Sequence, residues 1–200
     1  MRSNPTPADS EATSAAHGQQ RNGAACGARA VRLVPFSPAH FPLLMSWFST
    51  EAEAVQWAGP TVTVPLDEHQ LVAMLDESRS DPPARLCWMA EHNEALVGHA
   101  QLGFDWRNGI ARLSRVAVAP FARGRGLAKP MLTQVVDAAF RDTQIQRVEL
   151  NVYPFNEPAL RTYRALGFVQ EGVRRASALV GAERWDTVHM GLLRSEWRPA

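Results

Sequence analysis

The chain has 200 residues, of which 46% are hydrophobic and 20% charged, the composition of an ordinary globular protein. Its 21 lysines and arginines nearly balance 20 aspartates and glutamates, and the resulting net charge of +1 argues against a protein that coats nucleic acid. Two cysteines, Cys26 and Cys87, are too few for a disulfide framework, and six scattered histidines lack the spacing of metal ligands. We therefore expect neither a disulfide-stapled module nor a metal site.

The balanced total conceals two segments of opposite charge. Residues 31–108 carry four arginines against ten acidic residues, a net charge of −6. Residues 109–200 carry fourteen basic residues against eight acidic ones, a net charge of +6. The first segment would attract a cationic ligand and the second an anionic one.

The first 30 residues contain no Val, Ile, Leu, Phe, Tyr or Trp. Such a stretch cannot bury enough apolar surface to offset its ordering entropy, so we expect a disordered tail over 1–30 and a folded domain over 31–200. The tail lacks the apolar run of a signal peptide, and no later segment has the roughly 18 apolar residues of a membrane span. The expectation is a cytoplasmic protein with no membrane partner.

The first structured segments are a strand and two helices. Residues 31–36 alternate like a strand, and Ser37-Pro38 then supplies an N-cap and a first helical residue. Apolar residues follow at the spacing of one helix face: Phe41, Leu44, Met45 and Phe48. A turn is predicted at 57–60, and a second amphipathic helix follows Pro65 with Asp67 as its N-cap.

The later segments alternate between strand and helix. Strands at 86–91 and 95–104 form a hairpin, and a third strand covers 111–119. A long helix then opens in a glycine-rich turn. The remaining predicted elements are a strand at 145–153, a helix at 157–166, and strands at 168–174 and 187–193. This order predicts an α/β fold with a mixed sheet of six to seven strands, antiparallel early and parallel later, flanked by helices.

The glycine-rich turn has the sequence Arg123-Gly124-Arg125-Gly126-Leu127-Ala128. Glycines allow close approach to the backbone, and the amides and dipole of a helix N-terminus favour a phosphate. Arg123 and Arg125 add forked cationic donors at the same place. The plainer alternative is an ordinary turn with solvated arginines. A Walker loop is excluded because no Gly-Lys-Ser/Thr follows, and a dinucleotide fingerprint is incomplete.

This segment resembles the pyrophosphate loop of the GNAT superfamily, the acyl-CoA-dependent N-acetyltransferases. The family's loop has the pattern Gln/Arg-x-x-Gly-x-Gly/Ala after a strand that ends in V-x-P. Here Arg123, Gly126 and Ala128 fill the pattern after Val118-Ala119-Pro120. The family's second motif follows further along the chain and is matched at every position: Asn156, Ala159, Tyr163 and Gly167-Phe168.

The resemblance covers residues 31–197 and implies a GNAT fold in which a splayed strand pair holds acetyl-CoA. The last part, from Gly172 to Trp197, looks like the branch that contains ribosomal-protein N-terminal, polyamine and aminoglycoside acetyltransferases. The implied partners are acetyl-CoA as co-substrate and an amine acceptor, without a metal. The sequence does not determine the oligomeric state. Dimers are common in this family, which leaves a homodimer open.

The resemblance also implies roles for individual residues. Those expected to bind the cofactor are Val116, Val118, Arg123, Gly124, Arg125, Gly126, Leu127, Ala128 and Asn156. Tyr163 is expected to be the general acid, because a phenol with a reference pKa near ~10 is protonated at neutral pH and can give its proton to the departing CoA thiolate. The plainer alternatives are core valines, a helix-capping Asn156 and a core tyrosine.

The general base is not evident. Two positions at which family members carry a carboxylate are filled here by Arg112 and Asn151. Glu149 shares a strand face with Asn151, and Asp105 closes an earlier strand, so either carboxylate would act through water or would simply be solvated. An acceptor such as an α-amino group, with a pKa near ~8, could attack with little help from a base.

Two residues are expected to contact the acceptor amine: Trp57 and Asn151. Trp57 lies in the predicted turn beside Glu51 and Glu53, where its ring could hold a cation, although tryptophans are more often core residues. The primary hypothesis is an acetyl-CoA-dependent N-acetyltransferase with direct attack in a ternary complex. The alternatives are a non-catalytic acyl-CoA-binding regulatory module, motivated by the missing base, and a nucleic-acid binder, motivated by the arginines after residue 109.

Overall fold

Seven strands form one mixed sheet in the order β1-β2-β3-β4-β5-β7-β6. The structure is a computed structural model that describes residues 30–198, so the predicted tail lies outside the described residues except for Ala30. The strands are β1 (Arg32–Pro35), β2 (Arg85–His92), β3 (Ala95–Asp105), β4 (Ile110–Val118), β5 (Arg147–Val152), β6 (Val169–Val180) and β7 (Glu183–Leu193). The helices are α1 (Phe41–Met45), α2 (Glu51–Ala58), α3 (Glu68–Asp76), α4 (Ala128–Arg141) and α5 (Glu157–Ala165). The predicted α/β fold is confirmed.

Neighbouring strands are antiparallel except for β4 and β5, which are parallel. A parallel pair needs a crossover, and α4 supplies it. The predicted mixed sheet is confirmed, but the expectation that its later part is parallel holds for this pair alone, because β7 is antiparallel to both β5 and β6. The long hairpin closes at Gly181, whose φ of 57° is favourable for glycine.

Helices cover both faces of the sheet. On one face α4 packs against β1, β3 and β4. The approach is close at Gly98, where an added Cβ would lie 2.6 Å from the Met131 sulfur. On the other face α3 packs against β2, and α2 against β4 and β6. The buried stripe of α4 has the predicted helical spacing: Met131, Leu132, Val135, Val136, Ala139 and Phe140.

The segment predicted as a turn at 57–60 begins as a helix. In α2, the Thr50 hydroxyl accepts a hydrogen bond from the Glu53 amide at 3.2 Å, and Glu53 Oε2 accepts one from the Ser49 amide at 2.8 Å. The pair resembles a capping box, except that the Glu53 side chain bonds the amide of Ser49 and not that of the N-cap residue Thr50. The Thr-x-x-Glu spacing is the signal of this motif in the sequence. Trp57 consequently lies in the last helical turn, which ends at Gly59.

The hairpin strands β6 and β7 are both longer than predicted. Strand β6 was expected to end at 174 and β7 to begin at 187, whereas they extend to Val180 and from Glu183. Most side chains of the edge strand β6 are exposed, so apolar and polar residues do not alternate along it and the sequence carries little strand signal there. Over residues 30–198, no helix is long and apolar enough to cross a membrane.

Candidate active site

Strands β4 and β5 pair over only part of their lengths. Their register ends at Leu113 and Leu150, although β4 stays paired with β3 as far as Val118. Beyond Leu113 the two strands diverge, so the facing edges have no strand partner. Backbone N–H and C=O groups at such an edge are available to a ligand. The splayed strand pair predicted from the family resemblance is therefore present.

A β-bulge lies in β4 at the start of this splay. Between the pairs Gln101 with Ser114 and His99 with Ala117, β4 has one more residue than β3. Arg115 sits in the bulge with a φ of 49°, a left-handed conformation that is unusual for a residue other than glycine. The Trp57 indole donates a 2.7 Å hydrogen bond to the Arg115 carbonyl oxygen. Helix α2 thus holds the bulge in place.

A cleft of about 810 Å³ runs along the splay on the side of the glycine-rich loop, and we call it the cofactor cleft. It is lined by nearly all of the residues expected to bind the cofactor: Val116, Val118, Arg123, Gly124, Gly126, Leu127, Ala128 and Asn156. Arg125 does not line it and is exposed. The tertiary structure therefore brings the two sequence motifs to one cleft, with Arg125 at its outside.

The glycine-rich loop is shaped by Gly124 and Gly126, whose φ values are 75° and 74°. A Cβ at either position would meet no heavy atom within 4 Å, so the backbone conformation, and not crowding, favours glycine here. Arg123 donates from Nε to the Val118 carbonyl oxygen at 3.3 Å and holds the loop to the strand end. Helix α4 begins at Ala128, so its free first-turn amides open toward the cofactor cleft.

The buried phenol of Tyr163 lines the cofactor cleft from α5. Burial raises its pKa above the usual value, so the group is protonated throughout the neutral range. Its ring packs edge-on against Phe168 at a centroid distance of 5.9 Å. Asn156 accepts a 3.3 Å hydrogen bond from the Ala159 amide and caps the same helix, so its plainer role is present alongside its place in the cleft.

A second cleft of about 680 Å³ opens beside the first, and we call it the acceptor cleft. Residues shared by the two clefts lie at the splay: Gln56, Trp57, Leu113, Ser114, Arg115, Asn151, Val152 and Tyr153. Both residues expected to contact the acceptor are among them. Trp57 is only 6% exposed, its indole N–H is already used, and its ring stacks on Phe48 at a centroid distance of 4.6 Å, so little of the ring is left for a ligand.

Glu149, a candidate base, is held in ion pairs. Arg112 donates to its Oε1 from Nε at 3.0 Å and from Nη2 at 2.6 Å, and Arg147 Nε lies 3.3 Å from Oε2. Burial raises the pKa of Glu149, but the arginines outweigh burial and the net pKa is lowered. A carboxylate stabilised in this way is a weak proton acceptor.

Asp105, the other candidate base, lies at the far end of the acceptor cleft from the splay. It pairs with Ile110 at the start of β4 and accepts hydrogen bonds from the Asn108 side chain at 2.7 Å and backbone at 3.1 Å. Both bonds lower the pKa of Asp105, and the bond from the Asn108 side chain has the larger effect. Neither carboxylate has the raised pKa of an efficient general base at neutral pH.

The sequence analysis missed a polar cluster at the wall of the acceptor cleft. The Gln101 Oε1 accepts hydrogen bonds from Arg85 Nη1 and Arg115 Nη1, both at 3.1 Å. Arg85 also forms an ion pair with Glu77 at 2.8 Å. The signal in the sequence is Gln101 itself, a polar residue between the apolar Ala100 and Leu102, and it is completely buried.

A histidine on β7 was also missed. The Nδ1 of His189 lies 3.0 Å from the Asn151 side-chain oxygen, and its Nε2 lies 3.7 Å from Glu149 Oε2. This contact fixes the orientation of Asn151 at the splay. Over residues 30–198, no group of three or more His, Cys, Asp or Glu side chains is placed to hold a metal ion.

A splayed parallel strand pair, with a glycine-rich loop at one side and a second cleft at the other, is the arrangement expected of an acyltransferase fold. The Acetyltransferase (GNAT) family matches residues 44–168, and the chain belongs to this family. Its relatives include the uncharacterized N-acetyltransferase YokL of Bacillus subtilis, 32% identical over 108 residues, which are 54% of this chain and 60% of YokL. The chain thus spans about three-fifths of the length of this relative.

Two other comparisons concern proteins of named specificity. The L-amino acid N-acetyltransferase AaaT of Escherichia coli is 26% identical over 132 residues, which are 65% of this chain and 80% of AaaT. The structure of spermidine N-acetyltransferase from Vibrio cholerae in complex with CoA and spermine superposes with a TM-score of 0.71. That match covers 84% of this chain and 97% of the other at 18% identity, so it shows a shared fold.

Proposed function

We propose that this protein transfers the acetyl group of acetyl-CoA to a primary amine by direct attack in a ternary complex. The observation that carries the proposal is the meeting of the cofactor cleft and the acceptor cleft at the β4–β5 splay. Two ligands that enter from the two sides would touch there. This arrangement allows transfer without a covalent acyl-enzyme, because binding alone brings the amine to the thioester.

The cofactor is assigned to the cleft by its chemistry. The glycine-rich loop and the N-terminus of α4 bind the pyrophosphate, with Arg123 nearby as a cation. The pantetheine arm lies along the free edge of β4, where the backbone of Val116 and Val118 pairs with its amides and with the acetyl carbonyl. A backbone N–H aimed at that carbonyl also stabilises the oxyanion that forms during attack. Asn156 lies beside the arm at the start of α5.

The chemical step moves two protons. The free amine attacks the thioester carbonyl carbon, a C–N bond forms, and the C–S bond breaks as the tetrahedral intermediate collapses. The CoA sulfur takes a proton from the Tyr163 phenol, and the amine nitrogen loses one to water, from which the phenol is reprotonated. Protonated Tyr163 beside the thioester matches the role of the acid.

No strong base is needed for this step. Because Glu149 is ion-paired with Arg112 and Arg147, it orients the wall of the acceptor cleft and is a weak proton acceptor. An amine with a pKa near ~8 is about one-tenth unprotonated at pH 7, and this free fraction enters as the nucleophile. The rate is then expected to rise with pH as the acceptor loses its proton.

The test is release of CoA thiol from acetyl-CoA in the presence of a panel of amines, amino acids, polyamines and peptides with free N-termini. Mass spectrometry of the product confirms that acetyl is on nitrogen. Thiol release that depends on one acceptor class supports the proposal. Tight acetyl-CoA binding without turnover on any acceptor would contradict it and would favour a regulatory acyl-CoA-binding module.

We further infer that the protein acts on small ligands in the cytoplasm and binds no nucleic acid. The arginines after residue 109 that lie in the clefts line binding sites of small-molecule size. Strong, salt-sensitive binding to DNA or RNA would contradict this. A homodimer is the proposed oligomeric state, and sedimentation equilibrium tests it.

A further inference from the structure

The charges of the acceptor cleft do not cancel. Its lining includes four arginines, Arg85, Arg112, Arg115 and Arg174, and three acidic residues, Glu77, Asp105 and Glu149. Glu77 is paired with Arg85, and Glu149 with Arg112. Asp105 accepts hydrogen bonds from Asn108 at the outer end of the cleft. The cleft therefore has no carboxylate free at the splay.

Arg115, by contrast, is a cation that has no acidic partner among the described residues. Its Nη1 donates to Gln101 at 3.1 Å, and its buried Nε has no hydrogen-bond partner. Burial, followed by the nearby charge of Arg85, lowers its pKa, while Glu77 opposes this shift. The cluster formed by Arg85, Arg115 and Glu77 therefore has a net charge of +1.

The position of Arg115 is also costly for the fold. A residue other than glycine is strained in the left-handed conformation, and a buried donor without a partner adds a further penalty. The Trp57 hydrogen bond holds the backbone of Arg115 at the splay, and Gln101 holds its guanidinium beside that of Arg85 in the wall of the acceptor cleft. Strain that is stored at a cleft in this way points to a ligand that uses it.

The missing anion must come from the acceptor. In the proposed cofactor pose, the CoA phosphates lie at the glycine-rich loop, and only the neutral thioester end reaches the splay. A carboxylate suits a guanidinium because the two groups form paired, charge-assisted hydrogen bonds. A polyamine, by contrast, would place a second cation beside Arg115 and Arg85 with no free carboxylate there to receive it.

We propose that the acceptor carries a carboxylate close to its amine, as an amino acid does, and that Arg115 binds this carboxylate with Arg85 and Gln101 behind it. The inference rests on the proposed function and specifies its substrate class. It makes Arg115 a specificity-determining residue. Of the acidic residues in 31–108, only Glu77 and Asp105 line this cleft, and Glu77 is paired with Arg85, so the acidic charge of that segment is not gathered here to attract a polycation.

The experiment compares each amino acid with its own carboxamide, which keeps the amine and side chain and removes the negative charge. Rates are expressed per concentration of free amine, because amidation lowers the pKa of the α-amine. We expect kcat/KM for the best amino acid to exceed that for its carboxamide, and for spermidine, by about tenfold to a hundredfold, the value of a charge-assisted bond.

The variants are Arg115→Gln, Arg115→Lys and, as a control, Arg107→Gln at an exposed residue outside both clefts. Arg115→Gln should abolish the preference for the amino acid, mainly through KM, so that the ratio of kcat/KM between the amino acid and its carboxamide falls to about one, and a denaturant titration shows that the variant is folded. Arg115→Lys should restore part of the preference. Arg107→Gln should behave as wild type.

A binding measurement makes the result independent of turnover. Amino acids are titrated calorimetrically into protein saturated with CoA, and binding should be lost in Arg115→Gln. Equal or better use of carboxamides or spermidine by wild type would overturn the inference while leaving the proposed function intact. Amino acid binding without thiol release from any acceptor would contradict the proposed function alone, and the absence of amino acid binding would contradict the inference.

Discussion

The indole N–H of Trp57 donates a 2.7 Å hydrogen bond to the carbonyl oxygen of Arg115. This bond joins the last turn of α2 to the bulge at which β4 separates from β5. It connects residues far apart in the chain and fixes the residue that faces both clefts. The helix therefore supports the site through one specific contact as well as through packing.

The Trp57→Phe variant removes that bond and should lower the free energy of unfolding by about 1–3 kcal/mol. Because the bulge loses its fixed position, kcat/KM should fall as well. Trp106→Phe is a matched control, since the Trp106 indole donates a similar 2.9 Å bond to Pro83 outside both clefts. Urea denaturation and steady-state kinetics give the two readouts. A loss of activity as large in Trp106→Phe would show that stability alone explains the effect.

A negative charge in the glycine-rich loop should weaken cofactor binding. Gly126→Glu places a carboxylate beside the expected pyrophosphate, and we expect the Kd for acetyl-CoA to rise about tenfold or more. Gly181→Glu is the control, because Gly181 also has a positive φ and open space around a built Cβ, yet it lies in the β6–β7 turn. Calorimetric titration distinguishes the two. An unchanged Kd in Gly126→Glu would mean that the loop does not bind the phosphates.

Removal of the Tyr163 hydroxyl should slow chemistry more than binding. Tyr163→Phe is expected to lower kcat by about 10²- to 10⁴-fold with little change in the Kd for acetyl-CoA. Tyr153→Phe provides a comparison, since it deletes a phenol that makes only a 3.4 Å hydrogen bond to the Val55 carbonyl. Its kcat should fall by less than about tenfold. Equal effects in the two variants would argue against Tyr163 as the acid.

The ion pairs of Glu149 should give a pH-dependent contribution to stability. Its folded pKa is lowered, so the ionised carboxylate stabilises the fold above its unfolded pKa of about 4.3, and this contribution is lost as the pH falls through the lower folded pKa. Glu149→Gln should therefore reduce the free energy of unfolding by about 1–2 kcal/mol at pH 7, and the difference should vanish in acid. Denaturant titrations across this pH range measure it.

The same variant tests Glu149 as the base. If water takes the amine proton, kcat in Glu149→Gln should fall by less than about tenfold, whereas loss of a true general base would cost about 10²-fold or more. Glu91→Gln is the surface control, because Glu91 pairs with an exposed Arg32 and contributes little. A large kcat loss with a missing acid limb in the pH profile would restore Glu149 as the base.

Much of the site could be predicted because it is encoded in short, local patterns. The spacing of Gly126 and Ala128 after a strand end, and of Asn156 and Tyr163 on one helix, depends on turn geometry and helix capping that neighbouring residues decide. The long buried stripe of α4 was equally clear from its period. These features predicted the α/β fold and the family, both of which are confirmed, and the residues proposed to bind acetyl-CoA.

Other elements were harder to predict for physical reasons. Helix α2 has eight residues and a weak apolar stripe, so its capping box was the one clear signal, and Trp57 was assigned to a turn instead. The edge strand β6 exposes most of its side chains and loses the alternation that marks a half-buried strand. The bulge at Arg115 leaves no recognisable trace in a single sequence.

By itself, the sequence determined the family and pointed to the motifs proposed to bind the cofactor and to the proposed acid Tyr163, since each depends on residues close together in the chain. Only the tertiary structure decided the charge of the acceptor cleft. Counts along the chain suggested an acidic surface for a cationic amine, but Glu77 after α3 is paired with Arg85, Glu149 on β5 is paired with Arg112, and Arg115 has no acidic partner among the described residues. Charge acts through distance in space, and that distance is set when residues from separate strands come together.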